Sequence, residues 1–125
     1  MNKIALNILR LMPWVFGLGL VLTTTLSLLP STSIPESFVF WDKAQHGLAF
    51  TALTFTGCLA FPKKVTLVCC GLLFHGALIE LMQSTLTTTR FGDSLDWFAD
   101  GVGIVLGVLV YILLNKARDP LSPGG

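Results

Sequence analysis

Charge is scarce in this chain. Asp, Glu, Lys and Arg make up 12% of its 125 residues, against 53% that are hydrophobic. An average soluble domain carries about 25% charged residues, so an ordinary water-soluble globule is excluded. Cysteine is scarce too. Cys58, Cys69 and Cys70 have no CxxC spacing and make no disulfide framework, so they read as small apolar packing residues. Neither a GxSxG signature nor a cysteine nucleophile motif is present, which sets aside covalent acyl chemistry by those routes and leaves an Asp nucleophile open. There is no internal repeat, and no low-complexity run beyond Thr23–Thr25 and Thr87–Thr89.

What the chain has in abundance is long apolar runs. A spanning helix needs about 20 apolar residues. Four stretches fit, at about Leu11–Leu29, Ala44–Phe61, Val65–Leu86 and Ser94–Leu114. The expected fold is all-α, an integral membrane bundle of four transmembrane helices in one domain over 1–125. Residues 116–125 read as a short disordered tail. Lys3 and Arg10 before an apolar run resemble a signal peptide. That run is long, however, ends in Leu28, Leu29 and Pro30, and is followed by no small-x-small site, so it reads as an uncleaved first helix.

Orientation follows from basic residues in short loops. With four spans, Lys3, Arg10, Lys63, Lys64, Lys116 and Arg118 share one side, and Lys43 and Arg90 the other. This split places both termini in the cytoplasm. The acids divide the opposite way: the outer end sums to −4 and the inner to +5, which a net charge of +1 conceals.

The chemistry gathers at that outer end. Asp93, Asp96, Asp100, Gly103 and Gly107 follow steps of three and four residues, which keeps them on one helical face. A helix N-terminus accounts for Asp93 and partly for Asp96. It does not account for Asp100, two turns in, and a carboxylate inside a span marks function by default. Asp42 either caps the second helix or orients His46, four residues on and on the same face. His46 is either an interfacial residue with its hydrogen bonds satisfied or an acid, base or ligand. Ala49, Leu53 and Gly57 continue below it and are expected to meet the Gly103 face. Gly76, Glu80, Gln83 and Thr87 form a similar stripe on the third helix. His75 points away from Glu80 and reads as a packing or hydrogen-bonding residue. Arg90 either pairs with Asp93 or Asp96, or clamps an anionic substrate group.

These motifs resemble the VanZ-like membrane proteins. Asp42-Lys43-x-x-His46, Glu80-x-x-Gln83, Arg90, and Asp93 with Asp96 match that family's order and spacing over about 42–107. The family pattern is Asp-Lys-x-x-His, then Glu-x-x-Gln, Arg, Asp with an Asn four residues on, and a glycine-rich helix. Position 100 departs from it, with Asp where the family has Asn. The resemblance implies a small multi-span protein of the cell envelope, in a family linked to low-level teicoplanin resistance.

Three functions compete. The first is an enzyme acting on a lipid-linked head group in the outer leaflet. Asp42, His46, Glu80 and Asp96 would then be catalytic, and Lys43, Gln83, Arg90, Asp93 and Asp100 would bind substrate. Asp96 and Asp100, four apart, are the candidates for a divalent cation. The second is a non-catalytic binder of a lipid, a drug or a partner protein. The third, an ion pathway, is disfavoured because the inner halves of the helices offer little polar lining. The expected partners are membrane lipids or a lipid-linked precursor and a second copy of the chain; no nucleic acid is expected.

Overall fold

The computed structural model describes residues 2–29, 39–87 and 94–118, with the backbone alone at 39–42. The described chain is all-helical. Helix α1 covers Lys3–Leu28, α2 Val39–Ala60, α3 Val65–Leu86 and α4 Ser94–Arg118. α1, α3 and α4 are each long and apolar enough to cross a membrane. α2 opens with Asp42, Lys43, Gln45 and His46 in its first turns and does not meet that measure.

Helix ends differ from the sequence expectation where capping outweighs hydropathy. α1 begins well before Leu11, because the Asn2 side chain accepts the Ala5 amide at 2.8 Å and satisfies one of the orphan donors of the first turn. α2 begins at Val39, so Asp42 lies inside its first turn and is not its N-cap. Lys116 to Arg118 continue α4, which shortens the expected tail. α2 and α3 are separated by a tight break at 61–64, where Pro62 disfavours helical backbone at Phe61. Thr24, Thr25, Thr51, Thr54, Thr56 and Thr85 return their hydroxyls to the carbonyl four residues back, as Thr54 does to Phe50 at 2.7 Å, which satisfies a polar group within its own helix.

α2 lies at the centre and packs most extensively on α4. Glycines set that approach. A Cβ on Gly107 would stand 2.5 Å from Thr54 Cβ and 2.7 Å from the Thr51 carbonyl oxygen. A Cβ on Gly103 would strike the Gly47 carbonyl oxygen. Small residues at a four-residue interval let two backbones meet, which in lipid replaces the missing hydrophobic drive between helices. The expected partner face on α2 is therefore corrected. Gly47, Phe50, Thr51 and Thr54 face α4. Ala49, Leu53 and Gly57 turn elsewhere: Ala49 and Leu53 line a groove against α1, and Gly57 meets Phe16 of α1 and Val68 of α3. A helix contacted on three sides has no single buried stripe for a periodicity to reveal.

Phe50, Leu53, Cys58, Val68, Leu72, Ile79 and Ile104 form the buried core. Of the cysteines, Cys58 packs there as expected, whereas Cys70 is exposed. Large apolar side chains cover the outside, including Trp14 at 79% and Phe98 at 70% exposure. Such a surface suits lipid and not water.

Candidate functional site

α1 and α3 end where α2 and α4 begin, and the polar side chains meet at that end. α4 carries the stripe expected of it: Asp96, Asp100, Gly103, Ile104 and Gly107 are its buried residues. Asp100 is fully buried, and its Oδ1 lies 3.2 Å from His46 Nδ1 on α2. Its other oxygen, Oδ2, is buried with no hydrogen-bond partner among the described residues. Gly76 on α3 makes room for that oxygen, since a Cβ there would stand 2.8 Å from it. Trp97 closes the same contact from the side, donating its indole N–H to the Leu73 carbonyl at 3.0 Å.

Glu80 completes the group. One donor atom each from His46, Glu80 and Asp100 lie within 4.8 Å of one another. The three come from α2, α3 and α4, so no local segment builds the cluster. Glu80 reaches it because Gly76, one turn earlier, lets α3 approach Asp100.

Lys43 and Asp96 form a second pair, at 2.9 Å, with side chains 25% and 9% exposed. Two residues expected to act in the site meet here. Lys43, expected to bind substrate, is engaged by Asp96. Asp96, expected to share a cation with Asp100, faces an ammonium instead, and the carboxylate that joins Asp100 is Glu80. The spacing of Asp96 and Asp100 put them on one face, but Lys43 sits opposite only the upper one.

Gln83, buried one turn beyond Glu80, donates its Nε2 to the Ser27 carbonyl at 2.9 Å. That carbonyl belongs to the last turn of α1 and has no partner within its own helix. Gln83, expected to contact substrate, thus also ties α1 to α3 at the level of the site. Its Oε1 is buried with no hydrogen-bond partner among the described residues. His75 stays outside the site, with its Nε2 3.1 Å from the Thr24 hydroxyl. The side chain of Asp42, and all of Arg90 and Asp93, lie outside the described residues.

Sequence reasoning passed over Ser27, Trp97 and Gly47. Ser27 and Gly47 act through backbone carbonyls and bear no side-chain signal. Trp97, next to Asp96, had the signal of an indole donor that must find an acceptor in an apolar setting.

A groove of about 530 Å³ runs between α1 and α2, walled by Val15, Leu22, Leu26, Ala49 and Leu53, with Gln45 and His46 at its polar end. Compared with known proteins, the chain matches no family model, no curated protein and no solved structure.

Proposed function

We propose that this chain is a four-span protein of the cell membrane, with both termini in the cytoplasm, that takes the polar head group of a lipid-linked substrate at its outer face. The observation that carries the reading is the groove between α1 and α2. It is apolar along its walls and ends at His46, the residue in contact with buried Asp100. A lipid tail laid in that groove brings its head group to His46, Glu80 and Asp100. Those three can hold a proton or a cation at the reacting group, which suits catalysis on the head group. The Lys43–Asp96 pair stands beside them and keeps one carboxylate of the acidic end neutralised. The resemblance to VanZ-like proteins supports an envelope role and a link to glycopeptide resistance of the teicoplanin type.

The test is lipid profiling of a deletion strain complemented with wild type or with Glu80→Gln. The expected result is one lipid-linked species that accumulates in the deletion and in Glu80→Gln, and returns to normal with wild type. A normal profile with Glu80→Gln overturns the catalytic reading and leaves a binding protein. Sidedness has its own measurement. A reporter after Gly125 is expected to read cytoplasmic and one at Ser33 extracytoplasmic, on the split of six basic residues against two. The reverse pattern moves the substrate to the inner leaflet.

A further inference from the structure

His46, Glu80 and Asp100 bring three potential ligand atoms together inside the bundle. We infer that these three side chains bind one divalent cation of the manganese, iron or zinc class, which is the working form of the site. The inference deepens the proposed function and rests on the same residues.

Geometry comes first. Donors about 2.0–2.2 Å from an ion stand about 3–4.5 Å from one another. His46 Nδ1 and Asp100 Oδ1 are already 3.2 Å apart, inside that range. The whole set lies within 4.8 Å, so a few tenths of an ångström of side-chain movement closes it. The hydrogen bond between His46 and Asp100 is then replaced by two bonds to the cation.

Charge comes second. Two carboxyl groups and an imidazole gather in an apolar setting, where a charge is tolerated when it is paired or coordinates a metal. The nearby ammonium of Lys43 is engaged by Asp96 at 2.9 Å. A divalent cation matches the charge that two carboxylates can offer.

The third observation is independent of both. Asp100 is 0% exposed, and its Oδ2 has no hydrogen-bond partner among the described residues. A buried carboxylate oxygen left without a donor is destabilising, more so when charged. The fold keeps space for it, because Gly76 stands where any larger residue would press on it. With one oxygen bare and its carboxyl group gathered with Glu80 and His46, Asp100 is arranged as a metal ligand.

The donor set selects the ion. One imidazole and two carboxylates suit manganese, iron or zinc, whereas calcium prefers six to eight oxygens. Three protein donors also leave coordination positions for water or a substrate oxygen, the arrangement of catalytic rather than structural sites. A head-group phosphate or hydroxyl arriving at His46 would complete the shell, and the cation would offset its negative charge at an acidic end that would otherwise repel it.

The experiment uses the full chain purified in detergent, stripped with EDTA and titrated with Mn²⁺, with free ion read by electron paramagnetic resonance. Mn²⁺ is the probe because thiolates bind it poorly, so the cysteines do not compete. One ion per chain is expected, with nitrogen coupling in the pulsed spectrum that disappears in His46→Ala. Glu80→Gln and Asp100→Asn are expected to weaken binding at least tenfold. Cys70→Ser, at an exposed position outside the cluster, should stay within about threefold of wild type. Gel filtration confirms that each variant is folded; if Asp100→Asn is not, the partly exposed Glu80→Gln decides. Absence of saturable binding by wild type up to about 1 mM, the weak end of biological divalent sites, overturns the inference. So does binding without nitrogen coupling, or equal displacement by Ca²⁺. Equal loss in the charge-neutral double variant Lys43→Gln/Asp96→Asn returns the ion to Asp96 and Asp100 and also overturns it. No lipid substrate enters this measurement. Failure here leaves the head-group reading to the lipid profile, and failure there leaves the ion site standing.

Discussion

Replacing Gly103 by alanine tests whether the close approach of α2 and α4 is what assembles the site. A Cβ at 103 would strike the Gly47 carbonyl oxygen, and would stand 3.0 Å from Phe50 Cβ and 3.1 Å from the Gly47 carbonyl carbon. Two of these atoms are helix backbone, and the third is the root of a fully buried side chain, so none can rotate away. The helices must part by roughly 1 Å to restore an ordinary carbon–oxygen contact. A gap of that size forfeits about a quarter to a half of the dispersion attraction of the atoms lining it. Overpacking of a close-packed interior costs about 1–3 kcal/mol. Alanine recovers up to about 1 kcal/mol over glycine in helix propensity, so the expected net loss is about 1–2 kcal/mol. Gly103 also lies one turn from Asp100. Parting the helices stretches the 3.2 Å contact to His46 beyond hydrogen-bond range. Gly17→Ala and Gly71→Ala are the controls. A Cβ at either position meets nothing within 4 Å, so stability should hold or rise. The assay is the fraction of full chain that remains monodisperse on gel filtration after heating in detergent, supported by denaturant titration. Gly103→Ala as stable as Gly71→Ala would refute the reasoning, because the glycines would then not set the helix separation.

Gly76→Ala presses a methyl group against Asp100 Oδ2, a side-chain atom that can swing aside, so Mn²⁺ affinity should fall at least tenfold while stability changes by less than about 1 kcal/mol. A titration of the stripped protein beside a thermal scan checks both, and unchanged affinity would separate Oδ2 from the site. A double-mutant cycle on Lys43→Gln and Asp96→Asn should give a coupling of about 0.5–1 kcal/mol, the scale of a pair partly open to solvent, and should weaken in high salt. Additive losses would make their 2.9 Å contact incidental. Gln83→Leu removes the donor to the Ser27 carbonyl and should cost about 1 kcal/mol in the same thermal scan. Cleavage in the connection between α1 and α2 should also release α1 more readily in that variant, and release no faster than from wild type would count against Gln83 as the tie.

The helices and the stripe on α4 were legible in the sequence because both depend on local rules. Apolar length marks α1, α3 and α4 as long enough to span, and steps of three and four put Asp96, Asp100, Gly103 and Gly107 on the face that the bundle buries. His46, Glu80 and Asp100 could each be named as unusual, since a polar group among apolar residues stands out wherever it is. Their partners could not be named. Periodicity gives the direction of a side chain from its own helix axis, and partnership depends on the rotation and separation of two helices far apart in sequence. Asp96 and Asp100 share a face, yet one meets Lys43 and the other meets His46 and Glu80, because the neighbouring helices offer different atoms at the two levels. Asp42 gave a start signal that α2 did not use, since the helix had already begun at Val39. The carbonyl at the end of α1 that Gln83 Nε2 meets had no signal in the sequence. The choice between a carboxylate pair and a cluster of His46, Glu80 and Asp100 was therefore made by helix packing, through the closeness that Gly76 and Gly103 allow and that no single segment encodes.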